Sequence, residues 1–124
     1  FKDNVKGFKL CDYVGTGFMC IKREVFETII NKYPEIEYLS DIHAQIDNKQ
    51  LPKGKKEYAF FDCGIQGQGV LSDPDNTKRY LSEDFYFCQL WKQCNGQIWA
   101  DITSELKHIG IKTYERKPIL KRHY

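Results

Sequence analysis

The sequence lacks the patterns that mark several common classes of protein. No apolar run approaches the roughly 18 residues of a membrane-spanning helix, and the mean hydropathy is -0.59. The net charge of +2 is too balanced for nucleic-acid binding to be the expected function. No internal repeat or low-complexity segment is present. We therefore expect a chain without a transmembrane segment and without a nucleic acid partner.

Metal-binding and disulfide patterns are also missing. The five cysteines and three histidines are scattered, so neither a C-x-x-C pair nor a zinc-finger spacing appears. An odd number of cysteines favours reduced thiols, which favours the cytoplasm, while a secretory compartment with one disulfide stays open as an alternative.

The start of the chain has no secretory signal pattern. The chain opens at Phe1, and its single methionine is Met19. We therefore expect residues 1–124 to form one domain that belongs to a longer protein. A content of 41% hydrophobic and 15% aromatic residues suits a packed core.

The pattern of apolar residues predicts two helices and several strands. One helix spans Lys22–Tyr33 and ends before Pro34, and a second starts at Ser82 and ends near Cys94. Extended pieces are predicted at Asp12–Cys20, Tyr58–Cys63, Gln97–Ile102 and Leu106–Tyr114. Between them lie an irregular stretch over 35–57, with a short alternating piece at Ile42–Ile46, and a glycine-rich loop over 64–79. This order predicts an α/β fold with a mixed sheet and flanking helices.

Two neighbouring acids stand at the head of the second helix. Acids in a first helical turn interact favourably with the free N–H groups there, so Glu83 and Asp84 have an ordinary structural explanation. However, these acids follow closely after the glycine-rich loop, so we expect them at the edge of that loop, where a substrate can reach them. A carboxylate there can take a proton from a substrate hydroxyl. Both interpretations stay open at this point.

A histidine and a lysine follow the last predicted strands. An isolated histidine at a strand end is more often a hydrogen-bonded residue than a metal ligand. Gly110 and Lys112 follow His108 and keep the metal-ligand interpretation open, because a nearby lysine can neutralise phosphate oxygens. By contrast, Asp73-Pro74-Asp75 is formally a D-x-D motif but has the composition of a turn, so we do not assign it as a metal site.

Three blocks, "VGTGFMCIKREVF", "YLSEDFYFCQLW" and "QIWADITSELKHIG", resemble the C-terminal, acceptor-side half of a GT-A fold nucleotide-sugar glycosyltransferase of the family-2 type. The resemblance covers most of residues 12–114. In that family the nucleotide-binding half and its metal-binding D-x-D lie upstream, and neither is present here. The resemblance therefore implies that this chain needs the missing half for activity.

The resemblance also implies roles for individual residues. Asp84 would be the catalytic base, Glu83 would orient the acceptor, His108 would be a metal ligand, and Lys112 would meet the diphosphate. The floor of the sugar pocket in the donor-binding region would be formed by three small residues, Gly15, Thr16 and Gly17.

The implied reaction transfers a sugar from a nucleotide sugar, by expectation a UDP-sugar, to a hydroxyl of a glycan, protein or lipid. It would use Mn²⁺ or Mg²⁺ and invert the anomeric carbon. Two alternatives remain: a non-catalytic module of the same fold that binds carbohydrate or protein, and a small metal-dependent hydrolase that uses the same acids and histidine.

Overall fold

The computed structural model describes residues 4–40 and 56–115, which hold two helices and seven short strands. The helices are α1 (Arg23–Lys32) and α2 (Glu83–Gln93), and a single 3-10 turn (Pro34–Ile36) follows α1. The strands are β1 (Asn4–Val5), β2 (Phe8–Cys11), β3 (Glu37–Tyr38), β4 (Glu57–Tyr58), β5 (Gly64–Ile65), β6 (Tyr80–Leu81) and β7 (Ile98–Asp101). The alternating piece predicted at Ile42–Ile46 lies outside the described residues.

The strands form three small sheets in the described part of the chain. Their orders are β1–β2–β7, β3–β4 and β5–β6, and every pair is antiparallel. The prediction of a fold that combines helices and strands is confirmed. Within residues 4–40 and 56–115, however, the strands form three separate antiparallel sheets instead of one mixed sheet. A tight turn joins β1 to β2, with Lys6 at φ 47° and Gly7 at φ 82°, the geometry that two-residue hairpin loops favour.

The core lies between the two helices and the loop that precedes α2. Val25 and Ile29, one turn apart on α1, meet Phe87 and Leu90 of α2 in one apolar cluster. Leu81, at the end of β6, is fully buried in the same cluster. Because α2 is covered on several sides, five consecutive residues of it are buried, Tyr86 to Leu90. The burial of α2 is thus wider than the single stripe that its sequence suggests.

Both helix predictions are confirmed within one residue at each end. Helix α2 stops where predicted, but the left-handed residue after it is Asn95, at φ 61°, rather than the neighbouring glycine. Asparagine tolerates this conformation better than most residues, so it serves the same purpose.

The strand predictions are less accurate. The strand Gln97–Ile102 is confirmed as the shorter β7, and only the start of Tyr58–Cys63 is a strand. Residues 12–20 form a loop, and the strand lies before them, in β2. The last predicted strand, Leu106–Tyr114, is wrong: residues 104–115 are exposed and form neither helix nor strand. Periodicity fails here because no other described strand pairs with this stretch.

Candidate site at the start of helix α2

The N-terminus of α2 holds the aspartate that the sequence singled out. Ser82 precedes the helix in an extended conformation, and its carbonyl accepts the first helical hydrogen bond from Tyr86 N–H at 2.7 Å. The position of Ser82 is typical of a helix-capping serine, but its hydroxyl makes no hydrogen bond to the backbone of the helix. It donates instead to Asp84 Oδ1 at 2.6 Å, and the same oxygen accepts from the Phe85 N–H at 2.9 Å.

These hydrogen-bond donors stabilise the ionised form of the Asp84 carboxylate. The hydrogen bond from Ser82 lowers the pKa of Asp84 below its ordinary value, partial desolvation opposes this, and backbone N–H groups of Phe85 and Thr16 lower it further. Asp84 is half-buried and Glu83 is exposed, so neither acid is buried among apolar side chains. Asp84 is therefore ionised at neutral pH and accessible from one side.

A second segment of the chain runs alongside α2 and reaches this carboxylate. The residues after β2 contact the helix from Lys92 near its C-terminus to Asp84 at its N-terminus, so the segment lies antiparallel to α2. These contacts are an ion pair of Asp12 with Lys92 at 2.9 Å, stacking of Tyr13 on Phe85 at 4.8 Å, and a hydrogen bond from the Cys88 thiol to the Val14 carbonyl at 3.6 Å.

The glycine block ends this run next to Asp84. A Cβ built on Gly15 would lie 3.7 Å from Asp84 Oδ2, an ordinary van der Waals distance, while a Cβ on Gly17 would meet nothing within 4 Å. The structure therefore brings together two groups of residues predicted from distant parts of the sequence. The space at the Cβ position of Gly17 is open.

Gly15 also lines a cavity of about 990 Å³. It is mainly apolar, and its lining includes Val14, Met19, Phe87, Trp91 and Trp99. Asp84 does not line it. Gly15 thus lies against the Asp84 carboxylate and also lines an apolar cavity.

The other predicted site residues, His108 and Lys112, follow β7. Both are exposed, and neither lines the cavity beside Gly15. The ammonium of Lys112 sits 3.9 Å from the centre of the Tyr114 ring, a local cation–π contact. The donor-binding role of Lys112 and the metal-binding role of His108 remain predictions.

A divalent metal site requires several ligand side chains that converge on one point. Within 4–40 and 56–115, no three His, Cys, Asp or Glu side chains converge as a ligand set. Mn²⁺ or Mg²⁺ therefore stays an expectation, and the chemistry available to Asp84 does not depend on it. All five cysteines are free thiols in the structure, with Cys88 buried in α2.

The loop before the site is held by its own hydrogen bonds. The carboxylate of Asp73 accepts from the backbone N–H groups of Thr77 at 3.0 Å and Lys78 at 3.1 Å, which agrees with a turn rather than a metal site. Gln66 is buried and donates to Gln89 of α2 at 2.8 Å. The loop therefore delivers β6 and Ser82 to the site in a fixed position.

Two contributors to the site were missed in the sequence. Tyr13 stacks against α2, and the guanidinium of Arg79 lies 5.5 Å from the centre of its ring. Tyr80 is exposed just before the buried Leu81. The exposure of Tyr80 could have been predicted from the sequence, because neighbouring residues of a strand point to opposite faces. If Leu81 points into the core, Tyr80 must point away from it.

No protein-family model, no curated protein and no solved structure matches this chain. None of the helices in the described ranges is long and apolar enough to cross a membrane.

Proposed function

We propose that this chain is the acceptor-side part of a glycosyltransferase with a GT-A fold, in which Asp84 is the general base. The observation that carries the proposal is the juxtaposition of an ionised Asp84 with Gly15, whose Cβ position is 3.7 Å from the carboxylate. Sugar transfer needs a base and, directly beside it, room for a sugar ring. Gly15 lies against the carboxylate without a side chain, the open space at Gly17 is where we place the sugar ring, and the start of α2 presents the base.

The proposed chemistry is a single displacement. The acceptor oxygen attacks the anomeric carbon of the nucleotide sugar, the bond from that carbon to the diphosphate oxygen breaks, and the acceptor proton passes to Asp84. Because the acceptor hydroxyl becomes far more acidic as its bond to carbon forms, a carboxylate with a lowered pKa is basic enough to take the proton. The nucleoside diphosphate leaves.

The surroundings of Asp84 suit this role. The hydroxyl of Ser82 and the N–H of Phe85 both hold Oδ1, whereas Oδ2 is the oxygen nearest the Cβ position of Gly15. Oδ1 is thus held in place by two donors, and we assign Oδ2, beside the glycine segment, as the oxygen that takes the acceptor proton. Glu83, exposed beside it, is assigned to orient the acceptor.

The experiment is a transfer assay on the natural full-length protein that contains this chain. UDP-sugars are supplied with glycan, peptide and lipid acceptors, and release of UDP is compared with and without acceptor. Asp84→Asn should lower kcat by about 10² to 10⁴-fold, since it removes the proton acceptor but keeps the shape, with little change in UDP-sugar binding.

The matched control is Asp75→Asn, which removes the same charge from an exposed position in the loop. It should leave turnover unchanged. Equal turnover by Asp84→Asn and the wild type would remove the base assignment. Acceptor binding without transfer from any donor would instead support the non-catalytic module.

A further inference from the structure

The outward face of the β5–β6 pair carries an exposed aromatic ring next to the proposed base. Tyr80 is 69% exposed, while the next residue, Leu81, is fully buried. Tyr80 pairs directly with Ile65 on β5, which is also exposed, so the two side chains share one face. Ser82, two residues after Tyr80, is on the same side of the strand by the two-residue alternation, and its hydroxyl donates to Asp84. This face therefore leads from Tyr80 to the carboxylate.

Two carboxylates lie on the same side of this strand pair as the ring. Because Gly64 pairs antiparallel with Leu81, the residues just before β5, Asp62 and Cys63, lie beside the residues just after β6, where Glu83 begins α2. In agreement with this placement, a hydrogen bond with the Cys63 thiol raises the pKa of Tyr80, and the charges of Asp62 and Glu83 raise it further. Asp62 is itself held in place, because its Oδ1 accepts from the Cys63 N–H at 2.8 Å. The cation of the preceding residue, Arg79, is engaged with the Tyr13 ring instead.

An exposed aromatic ring flanked by carboxylates has the chemistry of a neutral sugar site. The apolar C–H face of a pyranose ring stacks on an aromatic face, and its hydroxyls donate hydrogen bonds to carboxylates. Two negative charges beside the ring disfavour an acceptor that is itself anionic. We propose that the acceptor is a neutral pyranoside whose ring stacks on Tyr80, with Asp62 and Glu83 receiving its hydroxyl hydrogen bonds. This inference rests on the proposed function for the meaning of "acceptor", but the sugar-binding site itself is independent of it.

The test is a titration of the ¹⁵N-labelled protein with three neutral probes, the methyl glycosides of β-glucose, β-galactose and α-mannose. Methyl β-glucuronide serves as the charged partner of the first probe, since the two differ only at C6. At least one neutral probe should shift the amide signals of residues 80–84 and 62–65. The glucuronide should bind more weakly than the glucoside.

The variants separate stacking from general surface effects. Tyr80→Ala should weaken binding of the neutral probe roughly threefold to tenfold, the range for an aromatic stacking contact, and Tyr80→Trp should keep it. Tyr38→Ala is the matched control, because Tyr38 is also exposed and its hydroxyl also bonds a neighbour, Glu57, at 3.1 Å, but it lies on the β3–β4 pair. It should bind like the wild type.

The outcomes distinguish this site from the proposed function. Unchanged binding in Tyr80→Ala, no binding of any neutral probe, or shifts confined to other surfaces would overturn the sugar site. Binding that depends on Tyr80 without transfer from any UDP-sugar would keep the site and remove the glycosyltransferase. Transfer that depends on Asp84, with an acceptor KM unchanged in Tyr80→Ala, would keep the glycosyltransferase and overturn the sugar site at Tyr80.

Discussion

Replacing Gln89 with leucine tests how the loop over residues 64–79 is attached to α2. The Gln89 side chain is 6% exposed, and its Oε1 accepts from Gln66 Nε2 at 2.8 Å. Its Nε2 donates to the Ser72 carbonyl at 2.7 Å and to Gln93 Oε1 at 2.9 Å. Leucine has a similar size but offers no hydrogen bonds, so the change removes these bonds with little change in volume.

The expected loss of stability follows from what each partner can do afterwards. Ser72 is exposed, so its carbonyl can accept a hydrogen bond from water instead. Gln93 Oε1 keeps its bonds from the Ser72 N–H and hydroxyl, both at 2.9 Å. Gln66, 7% exposed, is left with a buried amide donor without its partner. A stranded buried donor costs about 1–3 kcal/mol, and we expect a loss of about 2 kcal/mol in the free energy of unfolding, or roughly 5–10 °C in Tm.

A second variant separates hydrogen bonding from packing. Gln89→Glu keeps the acceptor for Gln66 but puts a carboxylate oxygen against the Ser72 carbonyl and Gln93 Oε1, which are both acceptors. Burial and these acceptors raise the pKa of the new carboxyl in the folded state. The penalty is therefore present at neutral pH and is relieved as the pH falls through that raised pKa.

The assay is urea unfolding followed by tryptophan fluorescence at neutral and acidic pH. Gln68→Leu is the control, because Gln68 lies in the same loop, is exposed, and should change stability by less than about 0.5 kcal/mol. If Gln89→Leu lost no more stability than Gln68→Leu, the glutamine contacts would not be what holds the loop against α2.

Two further predictions concern other contacts. A Cβ on Gly96 would lie 2.0 Å from Cε2 of the Trp91 ring, so Gly96→Ala should lower stability by about 1–3 kcal/mol in thermal unfolding. Gly17→Ala is the control and should be neutral, because the space around its Cβ position is open. Equal Tm values for the two variants would refute the clash. Hydrogen bonds from Ser104 and Thr103 lower the pKa of Asp101 from 3.8 to about 2. Because the folded-state pKa is depressed, its stabilising contribution is full above about pH 4 and is lost as the pH falls towards 2. Asp101→Asn should thus differ from the wild type at pH 6 and converge with it near pH 2, and a constant difference across that range would contradict this.

Local patterns were sufficient to locate the helices. The stripe of Val25 and Ile29 with a following proline, and a serine and two acids before an apolar run, depend only on neighbours within one or two turns. The sequence also identified Asp84 as a candidate, because an acid beside a glycine-rich loop stands out locally. The strands were placed less well, since two-residue strands give almost no periodic signal and depend on distant partners.

The tertiary structure decided what surrounds Asp84. No local pattern shows that the Gly15 segment would run antiparallel to α2, since this depends on the contacts of Asp12, Tyr13 and Val14 with a helix far along the chain. The choice of Asp84 rather than Glu83 as the held carboxylate depends on the direction in which Ser82 points. Sequence fixes which side chains are available and which local conformations they prefer. Which of them meet is decided by the packing of the core, because a contact between distant segments forms only where the whole chain brings them together.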